Sequence, residues 1–463
     1  MILRKSLLSA MLLPAVLAGC ANVSPDGGVS GVNHLSQQRI GQTIGKADAN
    51  ARTRVDALLA HPLSVDAAMQ IALLNNPRIQ VALAELGVAN ADLAQAGMLR
   101  NPRLSFGRLS GSGNTETDSV VLFDISGLLT LPMRKAIEQR RFQQAQLQTA
   151  LQVIRLATDT RRAWFDAVAA QQTLAFFEQA ALAAQASAEL AQQMAKAGNW
   201  NKLDEAREKV FHAEVEAQLV QARHNLLVKR ETLARALGLS AAQLLFSLPE
   251  RLPALPQQLT SAKDAQQLAL GQRLDVKAAT LETEATARAL GLTRATRFIN
   301  VLELGYQGRS ESSGARADGY EIELSLPLFD WGDARVRRAE EIYMGSLQRA
   351  ADVALRAQSQ VRELNSQRST QYEVARRYRD EIVPLRKRMS DEMLLRYNGM
   401  LASVFELLSD ARAQIASVSA SIDAQRDFWI ADSEMQFALH GGGSASYSPS
   451  APSLQPASAA ATH

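Results

Sequence analysis

Residues that could catalyse a reaction or hold a metal ion are few in this sequence and lie far apart. The six histidines, spread from His34 to His463, lack the spacing of a ligand set. Neither a glycine-rich phosphate loop nor a Gly-x-Ser-x-Gly nucleophile motif occurs. The sequence therefore predicts no catalytic residues, no metal site and no cofactor apart from a covalent lipid at Cys20.

Cys20 is the only cysteine in the 463 residues, and it stands where a lipid would be attached. The chain begins with Arg4 and Lys5 and continues with a short apolar run, the order of a secretory signal peptide. That run is shorter than the roughly 20 residues of a transmembrane helix. The residues LAGC that end at Cys20 resemble the bacterial lipobox, in which the signal, here 1–19, is removed and the cysteine is acylated. A buried free thiol is the alternative.

The mature exported chain is almost neutral. Removing 1–19 takes two of the 50 basic residues and leaves 48 against 47 acidic ones, so charge gives no argument for binding nucleic acid. With a single cysteine no intrachain disulfide can form, and stability must come from packing. Ala21 follows the cysteine in place of an aspartate, which under the rule for lipoproteins implies sorting to the outer membrane.

Three landmarks recur in the same order and indicate two copies of one structural unit. They are a break before a helix (Asn76-Pro77 and Gly271-Gln272), a Leu-Pro pair that ends a β-like stretch and opens a long helix (Pro132 and Pro327), and a glycine inside a long helix (Gly198 and Gly399). The predicted organisation is a signal peptide over 1–19, a lipidated lead-in over 20–62, repeats over 63–246 and 247–440, and a disordered tail over 441–463.

Each repeat contains two predicted strands. In the second repeat apolar and polar residues alternate over 302–307 and 320–326, which places Glu303, Glu321 and Glu323 on the polar faces. A less regular hairpin is predicted around 111–114 in the first repeat. An ordinary half-buried hairpin of a soluble protein is the alternative, but few other apolar segments are available to cover these strands.

Each repeat also contains one very long predicted helix. The 66 residues between Pro132 and Gly198 would extend about 100 Å, and the returning path is divided into two shorter helices stacked end to end. Pro384 should kink the second long helix. An alanine-rich coiled coil explains the helices equally well, but it explains neither the strands nor the signal.

Strands with one apolar and one polar face, in an exported lipoprotein, suggest a membrane barrel, because only helices or closed barrels satisfy the backbone in lipid. Four strands are too few to close, since the smallest such barrels have about eight. Several chains must therefore share one barrel that continues into a hollow helical bundle. Glu303, Glu321 and Glu323 would then face the lumen, because a charge on the lipid face costs a few kcal/mol near the midplane.

The ordered set of segments resembles the TolC-like outer-membrane efflux factors from about Leu63 to Leu439. It consists of LSVDAA at 63–68 with Asn75-Asn76-Pro77, the two Leu-Pro pairs, and RYNG at 396–399 with ELL at 406–408 and AR at 411–412. The resemblance implies a mainly α fold, a homotrimer that shares a 12-stranded barrel in outer-membrane lipid, and a periplasmic helical tunnel. Short helices within 63–75 and 255–271 would form a belt around it. An adaptor protein and an inner-membrane pump would engage its far tip, and substrates would pass through without any bond being made.

The resemblance places the periplasmic tips at the two helix breaks. The candidate tip and gate residues are Gly198, Tyr397, Gly399, Phe405, Glu406, Leu408 and Asp410. Family members often carry an acidic ring at the sixth and ninth positions after the second tip glycine, where this chain has Phe405 and Leu408. Either Glu406 or Asp410 replaces the ring, or the constriction is apolar. A solvated or salt-bridged helix face, with Arg412 nearby, is the alternative for the two acids.

Two alternatives to an efflux channel remain open from the sequence. The same channel could serve type I protein secretion or metal-ion efflux, although no cluster of methionine or histidine suggests a metal. A non-porous periplasmic coiled coil anchored by lipid is the second alternative, and it predicts no barrel.

Overall fold

The computed structural model describes residues 25–45, 49–111, 113–240, 243–259, 265–299 and 301–443. The predicted signal, Cys20 and residues 444–463 lie outside the described residues. The helices are α1 Val29–Ile40, α2 Ala49–Leu59, α3 Val65–Asn75, α4 Pro77–Ala96, α5 Ile125–Lys196, α6 Lys202–Leu237, α7 Ala265–Gln272, α8 Leu274–Ala295, α9 Asp333–Arg377, a π-helical turn Tyr378–Ile382, α10 Val383–Asn398 and α11 Val404–His440. The strands are β1 Arg103–Gly111, β2 Asn114–Asp124, β3 Leu302–Glu311 and β4 Arg316–Leu324.

The four strands form one antiparallel sheet in the order β1-β2-β3-β4. Each repeat contributes a hairpin, and the hairpins are joined by pairing of β2 with β3, in which Val120 lies opposite Gln307. The outer edges of β1 and β4 pair with no other described strand. The sheet is therefore open on both sides, with backbone groups available for further strands.

The first long helix begins directly at the end of β2. Asp124 caps it, since its Oδ1 accepts a hydrogen bond of 2.6 Å from the amide of Gly127. Pro132, predicted to open the helix, instead lies inside α5, eight residues after the cap. Two side chains donate to backbone carbonyls just before the proline, Thr130 to that of Ser126 and Arg134 to that of Gly127.

The second long helix begins later, after an irregular segment over 325–332 that contains Pro327. Gly332 precedes α9 with a φ of +78°, and a Cβ there would lie 2.9 Å from the carbonyl oxygen of Arg297. Glycine is thus required for both reasons. The two Leu-Pro pairs are therefore not equivalent in structure: one lies within a helix and the other in a connection.

The disturbance predicted at Pro384 takes the form of the π-helical turn Tyr378–Ile382, which separates α9 from α10. Proline has no amide hydrogen for the carbonyl four residues earlier, and in a regular α-helix its ring would clash with that carbonyl. The wider turn accommodates the proline without ending the helical path.

The returning paths are divided as predicted. α5 packs along α6 and α4, while α8 and α11 pack along α9. The largest apolar cluster lies about halfway along α5, where Phe165 stacks on Trp429 at a centroid distance of 5.6 Å. The indole nitrogen of Trp164 donates to the carbonyl of Leu63 at 2.7 Å and fixes the approach to α3. None of the described helices has the length and apolar character needed to cross a membrane.

The described chain ends against α8. The carbonyl of Gly441 accepts from the amide of Leu274 at 3.0 Å, and the amide of Gly443 donates to Asp275 at 3.2 Å. Residues 441–443, assigned to the tail from the sequence, therefore belong to the packed structure.

Candidate functional site

The sheet separates charged from apolar side chains. Directly opposite residues on neighbouring antiparallel strands point to the same face. The register Asp124–Glu303–Glu323 therefore places three acids on one face, and Glu321 is on this face too, opposite Gly305. The three glutamates singled out from the sequence thus lie together, on a surface we call the polar face.

Basic residues of the polar face neutralise part of this charge. Arg103 on β1 forms an ion pair and hydrogen bond with Glu303, which is almost fully buried. Nearer the hairpin turns, Arg309 Nε lies 2.7 Å from Glu116 Oε1 and 3.0 Å from Asp118 Oδ1. These cross-strand partners could not be predicted from the sequence, since β1 and β2 alternate less regularly than β3 and β4.

The opposite surface, the apolar face, is exposed in the single chain. Tyr320 and Ile322 are 85% and 70% exposed. The other large exposed side chains of this face are Leu104, Phe106, Phe123, Leu304, Tyr306 and Leu324. A contiguous apolar surface of this kind marks a contact with lipid or with another protein.

At the other end of the molecule the chain turns between α5 and α6 and again between α10 and α11. Gly198 has a φ of +77°, the left-handed conformation that glycine adopts without steric cost. Gly399, the corresponding candidate at the second tip, has a φ of −82°. The left-handed residue in that turn is its neighbour Met400, with a φ of 58°. The two tips therefore turn at different positions relative to their glycines.

Glu406 has a structural task at the second tip. Its carboxylate accepts hydrogen bonds from the amide of Ser403 at 2.7 Å and from the Ser403 hydroxyl at 3.0 Å, which completes a capping box at the start of α11. These hydrogen bonds lower the pKa of Glu406. The acid is exposed, but its orientation is fixed by the cap.

Asp410 is buried, and its Oδ2 has no hydrogen-bond partner within the described part of the chain. Arg412, considered from the sequence as its neighbour, instead pairs with Glu214 on α6 at 3.0 Å and lies over the ring of Phe211. The alternative of a solvated or salt-bridged face therefore does not describe Asp410 in the single chain.

The remaining candidates at the tip are apolar or buried. Leu408 is buried in a cluster with Phe177 and Phe211, so in the single chain it is a packing residue. Phe405 is exposed and has the guanidinium of Arg207 over its ring at 5.4 Å. An apolar groove of about 240 Å³ lies between α6 and α11, lined by Leu203, Ala206, Arg207, Val210, Phe405, Leu408 and Arg412.

A buried acid lies close to the tips. Glu208 on α6 is 1% exposed and accepts a hydrogen bond of 2.9 Å from the Ser187 hydroxyl. Burial raises the pKa of this carboxyl and outweighs the effects of Ser187 and Arg412. Burial, followed by the charge of Glu208, raises the pKa of Tyr397. The burial of Glu208 could not be predicted from the sequence, because a glutamate that packs against a neighbouring helix has the same sequence context as one on the surface.

No family model and no curated protein matches the chain, but solved structures do. The outer membrane protein VceC from Vibrio cholerae has a TM-score of 0.70 at 19% identity, covering 86% of this chain and 99% of VceC. The Campylobacter jejuni CmeC outer membrane channel has a TM-score of 0.67 at 14% identity, and the match covers 89% of this chain and 93% of CmeC. A membrane protein from Pseudomonas aeruginosa has a TM-score of 0.71 at 19% identity, and the match covers 85% of this chain and 94% of that protein.

The chain has the TolC-like fold of these membrane proteins. The predicted fold class, long α-helices with four strands per chain, is thereby confirmed. The likeness extends over more than four fifths of this chain and nearly all of each similar structure.

In this TolC-like fold the two groups of predicted residues lie at opposite ends. Glu303, Glu321 and Glu323 lie in the sheet, whereas the tip candidates lie at the far end of α5 and α10. Cys20, the predicted lipidation site, lies outside the described residues. Among the described residues no cluster of histidine, cysteine and acidic side chains could hold a metal ion.

Proposed function

We propose that the chain is one subunit of an outer-membrane channel, in which three copies share a 12-stranded barrel. The observation that carries this proposal is the open sheet, which has an exposed apolar face, a charged opposite face and two free edges. Lipid would cover the apolar face, and strands of neighbouring copies would pair with the edges. The solved structures with this fold are described as channels, in line with the prediction that the chain is not an enzyme.

The helices would continue the barrel as a tunnel through the periplasm. α5 has 72 residues, so it extends about 108 Å. A conduit of this kind makes and breaks no bonds, and an inner-membrane pump would supply the energy. The apolar groove between α6 and α11 lies beside the tip, where an adaptor protein would join the pump to the channel.

The polar face is the natural lining of the barrel, since Glu321, Glu323 and the Arg103–Glu303 pair would be costly in lipid. At the tip we infer an apolar closure rather than an acidic ring. Glu406 is held in a helix cap and Asp410 is buried. The apolar Met400 and Leu401 at the second tip are 94% and 81% exposed.

The proposed lipid on Cys20 would be attached eight residues before Gly28, which already lies against α5. The carbonyl of Gly28 accepts from Gln146 on α5 at 3.3 Å, and Phe142 packs against Gly28. Phe142 lies 17 residues into α5, about 26 Å from the end of the sheet. Residues 25–28 form a turn, so only the residues between Cys20 and this turn would run along α5 towards the sheet.

Single-channel conductance of the purified protein in a planar bilayer tests the proposed function. We expect discrete conductance steps, together with a trimer that dissociates on heating in gel electrophoresis. A non-porous coiled-coil lipoprotein would give neither result. Loss of both conductance and trimer would overturn the proposal.

A further inference from the structure

The charges of the sheet are divided unequally between its two faces. The strand register places seven acids and two arginines on the polar face, a net charge of −5 per chain. These residues are Glu116, Asp118, Asp124, Glu303, Glu311, Glu321, Glu323, Arg103 and Arg309. The apolar face carries Arg108, Arg316 and Asp318, a net charge of +1. Because the whole chain has a formal net charge of +3, the negative charge of the polar face is a local feature.

The arginines within the polar face neutralise only part of its negative charge. Arg103 pairs with Glu303. Arg309 lies within 3.0 Å of both Glu116 and Asp118, so one arginine serves two acids there. Each of these groups therefore keeps its charge on the face, and the second group retains an excess of one acid.

Two arginines outside the strands add positive charge where the sheet meets the helices. Arg100 pairs with Asp124 at 3.0 Å, and Arg134 on α5 lies near both residues. Counting these two arginines still leaves a net charge of −3 per chain. Within the described part of the chain, Glu321 and Glu323 form no ion pair. The charge of these two glutamates is therefore not neutralised by the chain itself.

The proposed barrel would concentrate this charge in one lumen. Twelve strands about 4.8 Å apart and tilted by about 40° enclose a cylinder with a backbone radius of about 12 Å and a height of about 25 Å. Three copies at −3 each would give that volume a fixed charge of about 1 M. The Debye length at 0.1 M salt is about 10 Å, close to this radius. Salt at that concentration would therefore not screen the wall charges across the lumen.

We infer that the barrel lumen favours cationic over anionic solutes of the same size, and that the acids of the polar face set this preference. The inference rests on the proposed channel function. Rings of acidic side chains attract cations and repel anions in a pore, and a lumen with low-dielectric walls strengthens their field. Cationic and neutral substrates would pass the barrel readily, whereas anionic substrates would meet an electrostatic barrier there.

The reversal potential of single channels across a tenfold KCl gradient tests this inference, because it gives the ratio of K⁺ to Cl⁻ permeability. We expect a wild-type ratio of at least about five near 0.1 M salt, decreasing towards one near 1 M as the wall charges are screened. Glu321→Gln combined with Glu323→Gln removes two acids per chain and should lower the ratio at least about twofold. Asp318→Asn is the matched control, since it removes a carboxylate of the same strand from the apolar face.

Glu321→Arg provides a second variant should the double variant fail to assemble, and it should lower the ratio as well. None of these substitutions lies at the tips, so a changed ratio is assigned to the barrel. Equal permeability of K⁺ and Cl⁻ in the wild type, or a double variant that behaves like Asp318→Asn, would overturn the inference and leave the channel intact. Absence of any conductance would instead overturn the channel, and the inference with it.

Discussion

Gly198 and Gly399 occupy equivalent places in the two repeats but differ in backbone conformation, and this difference can be tested. Alanine at Gly198 must adopt a left-handed conformation, which costs about 1–2 kcal/mol. Alanine at Gly399 keeps a negative φ, and its Cβ would meet no atom closer than 3.5 Å. We therefore expect Gly198→Ala to destabilise the tip and Gly399→Ala to have little effect.

The measurement for this pair is the rate of tryptic cleavage after Lys196 and Lys202, which flank the first tip. Gly198→Ala should accelerate cleavage, whereas Gly399→Ala should cleave there like the wild type. Equal behaviour of the two variants would contradict the assignment of the left-handed residue.

Glu208 should make the stability of the tip depend on pH. Its folded pKa is raised above the ordinary value of 4.5, so the unfolded chain loses this proton first as the pH rises. The stabilisation that neutral Glu208 provides is therefore complete below about pH 4.5 and is lost as the pH rises through the folded pKa. Glu208→Gln keeps an acceptor for Ser187 and should flatten the pH dependence of the unfolding temperature.

Glu205→Gln serves as the control for this measurement, because Glu205 lies in the same stretch of α6 and forms a surface pair with Lys209 at 2.6 Å. Ser187→Ala should destabilise the protein by about 1–3 kcal/mol through the lost hydrogen bond. An unchanged pH profile in Glu208→Gln would show that other groups set the pH response.

Among the elements, β4 gives the clearest test of membrane insertion. Ile322 and Glu321 are neighbours on opposite faces of a nine-residue strand. Arginine at Ile322 would face lipid at a cost of about 2–4 kcal/mol near the midplane, whereas Glu321→Arg would leave a charge on the polar face. Leu324 is the last residue of β4, so a charge there should cost less.

Outer-membrane fractionation with gel analysis of the heat-sensitive trimer measures this difference. Ile322→Arg should lower the amount of assembled trimer strongly, and Glu321→Arg should assemble nearly normally. The opposite result, with Glu321→Arg blocking assembly and Ile322→Arg tolerated, would show that the polar face and not the apolar face contacts lipid.

The π-helical turn before Pro384 should be required only because of that proline. Removing the exposed Asp380 shortens the turn by one residue, forces Pro384 into a regular α-helix and should cost about 3 kcal/mol. Combining this deletion with Pro384→Ala should restore most of the stability. Thermal unfolding followed by circular dichroism measures both variants, and a double variant as unstable as the single deletion would show that packing, not proline, sets the turn.

At the scale of the whole molecule, two features would hold the protein to the membrane: the barrel and the lipid on Cys20. Cys20→Ser should therefore lower the yield of sorted or assembled trimer without releasing the protein. Membrane fractionation measures the distribution, and mass spectrometry of the N-terminus shows whether the wild type carries the lipid. A fully soluble Cys20→Ser protein would contradict the barrel as an independent anchor.

Much of the fold could be predicted from the sequence because the signals are local. Strict alternation around Glu321 and Glu323, and long stretches without a break between Pro132 and Gly198, indicate strands and helices wherever the rest of the chain lies. The recurrence of the same landmarks in the two halves of the sequence also predicted the order of these elements. The geometry of the candidate sites was harder to predict from the sequence. A glycine in the sequence does not reveal whether it or its neighbour, here Met400, takes the left-handed conformation.

The sequence by itself determined the two faces of the second hairpin and the presence of very long helices, because both follow from periodicity within one segment. Only the tertiary structure decided that the two hairpins join through β2 and β3, which are separated by the long helices α5 and α6. It also brought Arg103 to Glu303, 200 residues away, and Ser187 to Glu208 across the first tip. Such contacts depend on register and packing between distant segments, and periodicity within a segment carries no information about them.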